Sequence, residues 1–446
     1  MAVPTLLAMA TNKICRRIKM ILLAAALLAA IVSAGCTWQG NSPSGTEKAA
    51  EPAADQEVIT LTFMLPQTHY KDFLQESIQE FEAQQENCRI NVQVIPDNQW
   101  TNMIKTMAFT DESPDIVRID KSVMMQIGTD RFVELDPSEP WMERVAPGEL
   151  ESKMIDGKVY GLPVTSNSSV GIVCNRALFE EHGLEIPHSM EEMYEVCEQF
   201  RKLGITPLYA SDKDSWTTQV WFTSGAPQVA PEGTWEKLLT GDVQWGEVAE
   251  FGQVLNDMVE LRSRGCTNSD YMMATYTSAV DFMANGSAAM YVSGHFFIND
   301  VMAKNPDSEL VMAPMVYDDT ITLIQSQGMF SIFEGSENAE LAKEFLNWFS
   351  QADNMDVFTR GWGYTPIFRD QKNEMPKWLE ALYKDYINQD KVVLHVDSHL
   401  MGVDFMDFWS YQQELMSGSL SVEETLQKWD EAYAWQMRNR KMPGWD

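Results

Sequence analysis

From residue 58 onward, short β-branched runs alternate with helical patterns in this 446-residue chain. This alternation constrains the fold more than any other feature of the sequence. Val58–Leu65, Ile90–Ile95 and Asp115–Ile119 have the composition of strands, and proline follows each of the first two. Residues 71–85 and 99–109, which lie between them, carry apolar side chains at helical spacing. A strand-helix-strand-helix-strand order predicts a parallel sheet covered by helices, and therefore an α/β fold.

The length of the chain predicts two lobes rather than one. About 390 residues follow residue 57, which is more than one hydrophobic core usually holds. Ser189 and Ser421 each precede a glutamate by three positions, which is the spacing of a helix capping box. Residues 340–349 carry apolar side chains on one helical face. These patterns predict three further helices.

The N-terminal residues have the pattern of a bacterial export signal. Four basic residues precede the apolar run Ile21–Val32, which is too short to span a bilayer as a mature helix. Ser33 to Cys36 resembles a lipoprotein cleavage site. Residues 1–35 would then be a signal peptide, and lipid on Cys36 would anchor the exported protein to the outer face of the cytoplasmic membrane. Cleavage by an ordinary signal peptidase, with release, is the alternative.

Residues 36–57 hold almost no large apolar side chain. Such a composition predicts a flexible tether that separates a folded body from the membrane.

The charge of the chain narrows the choice of partner. The formal charge is −32, and it becomes −36 without residues 1–35, which hold four basic and no acidic residues. Such a surface repels phosphates, so neither nucleic acid nor an anionic lipid surface is expected as a partner. A neutral or cationic small molecule is favoured. The sequence holds no Walker loop, dinucleotide fingerprint or GxSxG motif, and no cofactor is expected.

The cysteines and histidines give weaker signals. Four cysteines of the body are scattered, and we interpret them as small buried side chains, while a disulfide between two of them stays open because export permits it. They are Cys88, Cys174, Cys197 and Cys266. His395 and His399 have the spacing of a zinc motif but lack its glutamate, and the surrounding residues are predicted to be extended. We interpret both as surface or lobe packing and expect no metal.

The stretch Asp156–Pro187 combines an Asp-Gly turn, a Tyr-Gly-Leu-Pro approach, a polar run and an apolar strand followed by a helix. Taken alone, the polar run Ser166–Ser169 is either a connection or a contact with a small polar ligand. The whole stretch resembles the signature of extracellular solute-binding proteins of the sugar-binding, maltose-binding-like type. Two departures are Cys174, where that family usually has tyrosine, and Gly171, which interrupts the strand.

Later segments resemble the same family in the same order. They are Ser113–Ile116, Phe282–Gly286 with Ala288–Met290, Asn338–Phe349 and Gly363–Pro366. Together with the first stretch they cover roughly residues 58–430, nearly the whole body.

The resemblance implies a two-lobed periplasmic-binding-protein-like α/β fold with a hinge between the lobes and ligand in the interlobe cleft. The expected N-terminal lobe is 58–164 plus 320–370, and the C-terminal lobe is 165–319 plus 371–446. The chain is expected to cross between them near 163–165, 316–322 and 367–375.

The implied function is that of a monomeric lipoprotein that captures a mono- or oligosaccharide and delivers it to the permease of an ABC importer. A non-sugar solute and a membrane sensor as partner are alternatives. A secreted carbohydrate-active enzyme, which needs two carboxylates across a cleft, is a further one. We expect no catalytic residue.

Ligands of open α/β sheets bind beyond the carboxyl ends of the strands, and sugars need aromatic surface together with carboxylates or amides. The expected ligand-binding residues are Gln67, Thr68, His69, Asp97, Asp120, Ser166, Asn167, Ser168, Trp216, Trp221, Gly294, His295, Phe296, Trp362 and Trp409. Trp221, Phe296 and Trp409 also resemble aromatic positions that contact sugar in the family. For each tryptophan the alternative is core packing, and for Asp97 and Asp120 it is a helix cap.

Overall fold

The computed structural model describes residues 58–445, apart from 86, 111–112, 147–148 and 373–374. The predicted signal peptide, Cys36 and the tether lie outside the described residues. The described strands are β1 (Ile59–Pro66), β2 (Cys88–Ile95), β3 (Ile116–Asp120), β4 (Leu162–Pro163), β5 (Ser168–Asn175), β6 (Thr206–Tyr209), β7 (Ala288–Gly294), β8 (Leu310–Ala313), β9 (Ile321–Ile324), β10 (Gly328–Ile332) and β11 (Val392–Leu394).

The first sheet has the strand order β2-β1-β3-β10-β4. β1 runs parallel to β2 and to β3, as the alternation of strands and helices predicts. β10 comes from far along the chain and runs antiparallel to β3 and β4. The carboxyl ends of β1 and β3 therefore meet at one edge of this sheet.

The second sheet has the order β11-β9-β5-β7-β6, and β8 also pairs with β5. β5 runs antiparallel to β7, β8 and β9. Every residue of β5 is buried. Gly171 interrupts its apolar pattern for a steric reason, because a Cβ there would lie 2.2 Å from the backbone oxygen of Ala313.

The helices predicted at 71–85, 99–109 and 340–349 are present, with ends within two residues of the predicted ones. They span Asp72–Gln84, Asp97–Met107, Lys121–Ile127, Arg176–His182, Met190–Lys202, Ser215–Thr218, Val220–Val229, Thr234–Thr240, Ala249–Ser263, Tyr276–Ala284, Phe296–Lys304, Ala339–Phe349, Ala352–Trp362, Lys377–Asp385, Val396–His399, Met406–Met416 and Val422–Asn439. Single 3₁₀ turns lie at Gln67–His69, Thr129–Arg131, Met142–Arg144, Trp245–Glu247 and Ile387–Gln389. Within the part of the chain that is described, no helix combines the length and the apolar character needed to cross a bilayer.

The two capping-box predictions have different outcomes. At Ser421 the box is complete, since the hydroxyl accepts from Glu424 N at 3.2 Å and the Glu424 carboxylate accepts from Ser421 N at 2.8 Å. At Ser189 the hydroxyl caps Glu192 N at 3.2 Å. The Glu192 carboxylate instead accepts from His188 N at 2.7 Å, so this box is only half formed.

Both faces of each sheet are covered by buried apolar side chains. Phe63 and Met64 are neighbours on β1 and belong to different core clusters, as expected for a strand whose side chains alternate. Ile172 and Val173 are likewise neighbours on β5 and belong to different core clusters. A strand buried on both faces explains why the apolar runs here are continuous.

The cysteines pack as small buried side chains, as predicted. The four that the structure describes are free thiols. Cys197 and Cys266 lie close enough for a hydrogen bond between their thiols.

The chain passes between the sheets in three places. The first connection joins β4 to β5, the second joins β9 to β10, and the third follows the helix Ala352–Trp362. The lobe boundary expected at residue 320 would assign β9 to the N-terminal lobe. This strand pairs with β5 and β11 of the second sheet, so the second connection is 325–327 rather than a segment near 316–322.

Candidate functional site

A cavity of about 360 Å³ lies where the carboxyl ends of β1 and β3 face residues of the second sheet and its helices. Of the predicted binding residues, those that line it are Thr68, His69, Asp97, Asp120, Ser166, Ser168, Trp216, Phe296, Trp362 and Trp409. The strand-end rule therefore selected the edge of the first sheet at which this cavity lies.

Trp221 does not line this cavity. It lies on the buried helix Val220–Val229 and is 6% exposed. Its indole Nε1 donates to the Tyr317 hydroxyl at 2.9 Å, and that hydroxyl donates to Asp257 at 2.9 Å. The resemblance to a sugar-contacting position is not matched by its location, because this helix packs into the core on every side.

Gly294 and His295 lie just behind the cavity. A Cβ on Gly294 would lie 2.3 Å from the Phe296 ring, so the glycine lets that ring rest against the backbone. His295 Nδ1 accepts from Ser169 N at 3.1 Å. Burial lowers the pKa of His295 to about 4, so its ring is neutral near pH 7. Both residues position their neighbours.

Asn167 and Gln67 also lie off the cavity wall. The Asn167 amide oxygen accepts from Ser326 N at 2.9 Å and so links two of the connections between the sheets. Gln67 begins a 3₁₀ turn and is exposed.

The wall supplied by the first sheet has its carboxylates already in contact with donors. Asp97 Oδ1 accepts from the Thr68 N at 3.2 Å and from the Thr68 hydroxyl at 2.9 Å. Burial raises the pKa of Asp97. Asp120 precedes a helix without capping it by its side chain, and its carboxylate pairs with Arg118. Burial holds the pKa of His69 well below its usual value, and the charges of Arg118 and Lys71 add to this.

Sequence reasoning missed a charged network across the cavity. Lys71 Nζ lies 2.7 Å from Asp300, and the Tyr276 hydroxyl donates to the same carboxylate at 2.8 Å. Lys71 also lies 5.2 Å from the centre of a Trp362 ring. A second ion pair joins Lys105 to Asp404. The only sequence signal for Asp300 is that it lies four residues after Phe296 on one helix. This spacing does not predict a contact with Lys71.

Aromatic rings form a continuous surface along the cavity. Between ring centroids, the distance is 5.2 Å from Trp216 to Tyr276, 6.4 Å from Tyr276 to Phe296, and 6.3 Å from Phe296 to Trp362. Trp362 stacks on Tyr364 at 5.7 Å with an interplanar angle of 14°. Such rings offer flat apolar area to a ligand.

Asp397 is a second omission of the sequence reasoning. Its Oδ1 is buried and finds no hydrogen-bond partner among the residues described. Burial raises the pKa of Asp397 to about 7, and the nearby charge of Asp120 contributes. The indole Nε1 atoms of Trp216, Trp362 and Trp409 are likewise without a partner in the described part of the chain. Unpaired buried polar atoms are costly, and these four belong to residues that line the cavity, where a ligand could supply the missing partners.

The segment around Asp397 was predicted to be extended, and this is only half right. Val392–Leu394 is a strand, but Val396–His399 is a helical turn. His395 is buried with its pKa lowered to about 3, and the His399 ring stacks on Trp235 at 4.7 Å. Among the described residues no group of three or more His, Cys, Asp or Glu is arranged to hold a metal ion.

A family model of bacterial extracellular solute-binding proteins matches residues 67–356 of this chain. An uncharacterised ABC transporter extracellular-binding protein of Pyrococcus horikoshii is 26% identical over 312 residues, 67% of this chain and 71% of that protein. The multiple sugar-binding protein of Streptococcus mutans is 20% identical over 320 residues, 70% of this chain and 76% of that one. A polygalacturonan/rhamnogalacturonan-binding protein of Bacillus subtilis is 24% identical over 281 residues, 58% and 54% of the two chains.

Solved structures share the fold. A sugar transporter protein of Bacillus licheniformis in complex with stachyose has a TM-score of 0.72 at 19% identity and covers 84% of this chain and 100% of its own. The expected two-lobed α/β fold is thereby confirmed. The matched family consists of binding proteins rather than enzymes.

Proposed function

Because this chain belongs to the family of bacterial extracellular solute-binding proteins, we propose that it captures a mono- or oligosaccharide in the cavity between its two sheets. It delivers that saccharide to the membrane permease of an ABC importer and performs no chemistry on it.

One observation carries this proposal: a continuous aromatic surface and partly buried carboxylates line the same cavity. The rings from Trp216 to Trp362 provide flat area for the C–H faces of sugar rings, and Asp97 and Asp397 provide acceptors for hydroxyls. A cavity of about 360 Å³ suits a small number of sugar units. The sugar-binding names of relatives and structural neighbours support the same ligand class.

The two lobes of this proposal are 58–164 with 325–370, and 165–324 with 371–446. Closure around ligand is favoured only when both lobes contact it, because a ligand that binds both states equally shifts nothing. Two ion pairs join residues of different lobes and stabilise the closed form. They are Lys71–Asp300 and Lys105–Asp404.

We further propose that the protein works as a monomer at the outer face of the cytoplasmic membrane, held there by lipid on Cys36. The export pattern of residues 1–35 supports the anchor, and the extracellular family supports export.

A ligand panel tests the sugar assignment. Purified protein is titrated with mono- to tetrasaccharides while intrinsic tryptophan fluorescence and heat are recorded, and a dissociation constant near 1 μM is expected, about −8 kcal/mol. Trp409→Ala should weaken binding about tenfold or more, because this ring lines the cavity.

Trp435→Ala is the matched control, since Trp435 is 66% exposed and lies outside the cavity. A panel in which peptides or polyamines bind while every saccharide fails would contradict the sugar assignment and leave the fold intact.

A further inference from the structure

The positive charges of the cavity wall are already matched by negative ones. Lys71 pairs with Asp300, whose carboxylate also accepts from Tyr276. Arg118 pairs with Asp120. His69 is held neutral near pH 7 by burial, which lowers its pKa. These are the basic side chains that line the cavity within the described chain.

Two other carboxylates that line the cavity have no such match. Neither Asp97 nor Asp397 forms an ion pair with a lysine or arginine of the residues described here. Thr68 donates two hydrogen bonds to one oxygen of Asp97. Asp397 Oδ1 has no partner in the described chain, and the adjacent His395 is uncharged near pH 7.

Arg118 Nε is the one cationic donor of the cavity lining that argues for an anionic ligand, because it is buried without a partner in the described structure. However, the side chain is only 9% exposed. Its guanidinium lies against Asp120 and so close to Gly328 that a Cβ there would be 2.8 Å from Nη2. The Arg118 guanidinium is therefore already neutralised by Asp120 and enclosed by protein, so it offers little attraction to a ligand carboxylate.

We infer that the cavity takes uncharged saccharides, with Asp97 and Asp397 accepting hydrogen bonds from their hydroxyls, and excludes saccharides that carry carboxylates. This inference rests on the proposed sugar-binding function. A hydroxyl that donates to an ionised carboxylate forms a charge-assisted hydrogen bond. A uronate in the same place brings another negative charge close to these two carboxylates in a partly buried cavity. Its carboxylate oxygens, like those of Asp97 and Asp397, can only accept hydrogen bonds, so none forms between them.

The distinction is informative within the family, because one relative is named for binding an acidic polymer, polygalacturonan/rhamnogalacturonan. The family fold by itself therefore does not fix the charge of the ligand. The arrangement of paired cations and unpaired carboxylates in this chain does.

The test compares matched neutral and acidic sugars. Galactose, glucose and xylose oligosaccharides of two to four units are titrated calorimetrically against purified protein at pH 8, beside di- to tetragalacturonate and glucuronate-bearing oligosaccharides. We expect a neutral saccharide to bind at least about 30-fold more tightly than its acidic counterpart. Asp397→Asn should weaken the neutral sugar about tenfold and reduce the discrimination to less than about fivefold.

Asp319→Asn is the matched control, because Asp319 is 61% exposed, pairs with Lys391 and lies off the cavity. Melting curves establish that both variants are folded. An acidic saccharide that binds within threefold of its neutral counterpart, or more tightly, overturns this inference and leaves the sugar-binding function standing. Failure of both series to bind overturns the function and the inference together.

Discussion

The two walls of the cavity differ in how the carboxylates of Asp97 and Asp120 on one side, and of Asp397 on the other, are satisfied before any ligand binds. On the first-sheet side, Asp97 is held by Thr68, and Asp120 by Arg118. On the second-sheet side, Asp397 Oδ1 and Trp409 Nε1 find no partner in the described chain. The first wall thus holds the carboxylates of Asp97 and Asp120 with donors of its own, whereas the second leaves an oxygen of Asp397 without a donor from the described chain. Substitutions should therefore affect stability on one side and binding on the other.

Arg118→Met gives the largest expected effect and acts on stability. It leaves the Asp120 carboxylate without its cation, and the free energy of unfolding should fall by about 2–3 kcal/mol in urea denaturation. Arg176→Met is the control, because the Arg176–Glu309 pair is about half exposed and should contribute less than about 0.5 kcal/mol. Equal losses in the two variants would remove the contrast between the walls.

Asp397 should show the opposite behaviour, with stability falling as pH rises. Its pKa is about 7 in the folded protein and near its ordinary value of 3.8 when unfolded, so the unfolded chain gives up the proton first. Stability from this group is therefore full below about pH 4 and declines up to pH 7. Because the side chain is 33% exposed, we expect a loss of only about 1 kcal/mol between pH 5 and pH 8.

Denaturation of the wild type and of Asp397→Asn at both pH values measures this loss. The variant should be the more stable protein at pH 8 and should lack this part of the pH dependence. Asp319→Asn should retain it. A variant that is less stable than the wild type at pH 8 would show that Asp397 is satisfied in the free protein.

The smallest expected effect belongs to the ion pair that joins the walls. Lys71→Met removes the pair with Asp300, whose two side chains are 22% and 18% exposed, and should weaken saccharide binding by about two- to fivefold. The melting temperature should change by no more than about 2 °C. Small-angle X-ray scattering should detect a larger radius of gyration without ligand and little difference with it.

Lys391→Met removes an exposed pair outside the cavity and provides the comparison. An unchanged affinity for Lys71→Met would show that the pair contributes nothing to closure.

The sequence predicted the β1, β2 and β3 part of the first sheet well because these strands and their helices follow each other locally. β1, β2 and β3 each carry a pattern that can be recognised within ten residues or fewer. The second sheet is different, since β7 is buried along its whole length and its partners come from distant parts of the chain. No local periodicity indicates that β5 runs antiparallel to three of its neighbours.

The site divides in a similar way. Thr68, Asp97 and Asp120 were found by one rule, that ligands lie beyond strand ends. Asp300 and Tyr276 escaped because their role depends on Lys71, which is more than 200 residues away along the chain. Trp221 was wrongly placed because a tryptophan of the core and one of a cavity have the same local sequence signals. The family resemblance was confirmed, but residue roles did not follow from it one by one.

The three connections between the sheets are joined side by side. Thr165 accepts from Gly328 N at 2.8 Å, Asn167 accepts from Ser326 N at 2.9 Å, and Ser166 accepts from Thr365 N at 3.0 Å. Because these three segments are hydrogen-bonded side by side, we expect them to bend together in one direction and to resist shear and torsion. We therefore expect the cavity to open by rotation about a single axis, so that closure brings the same side chains back to face each other.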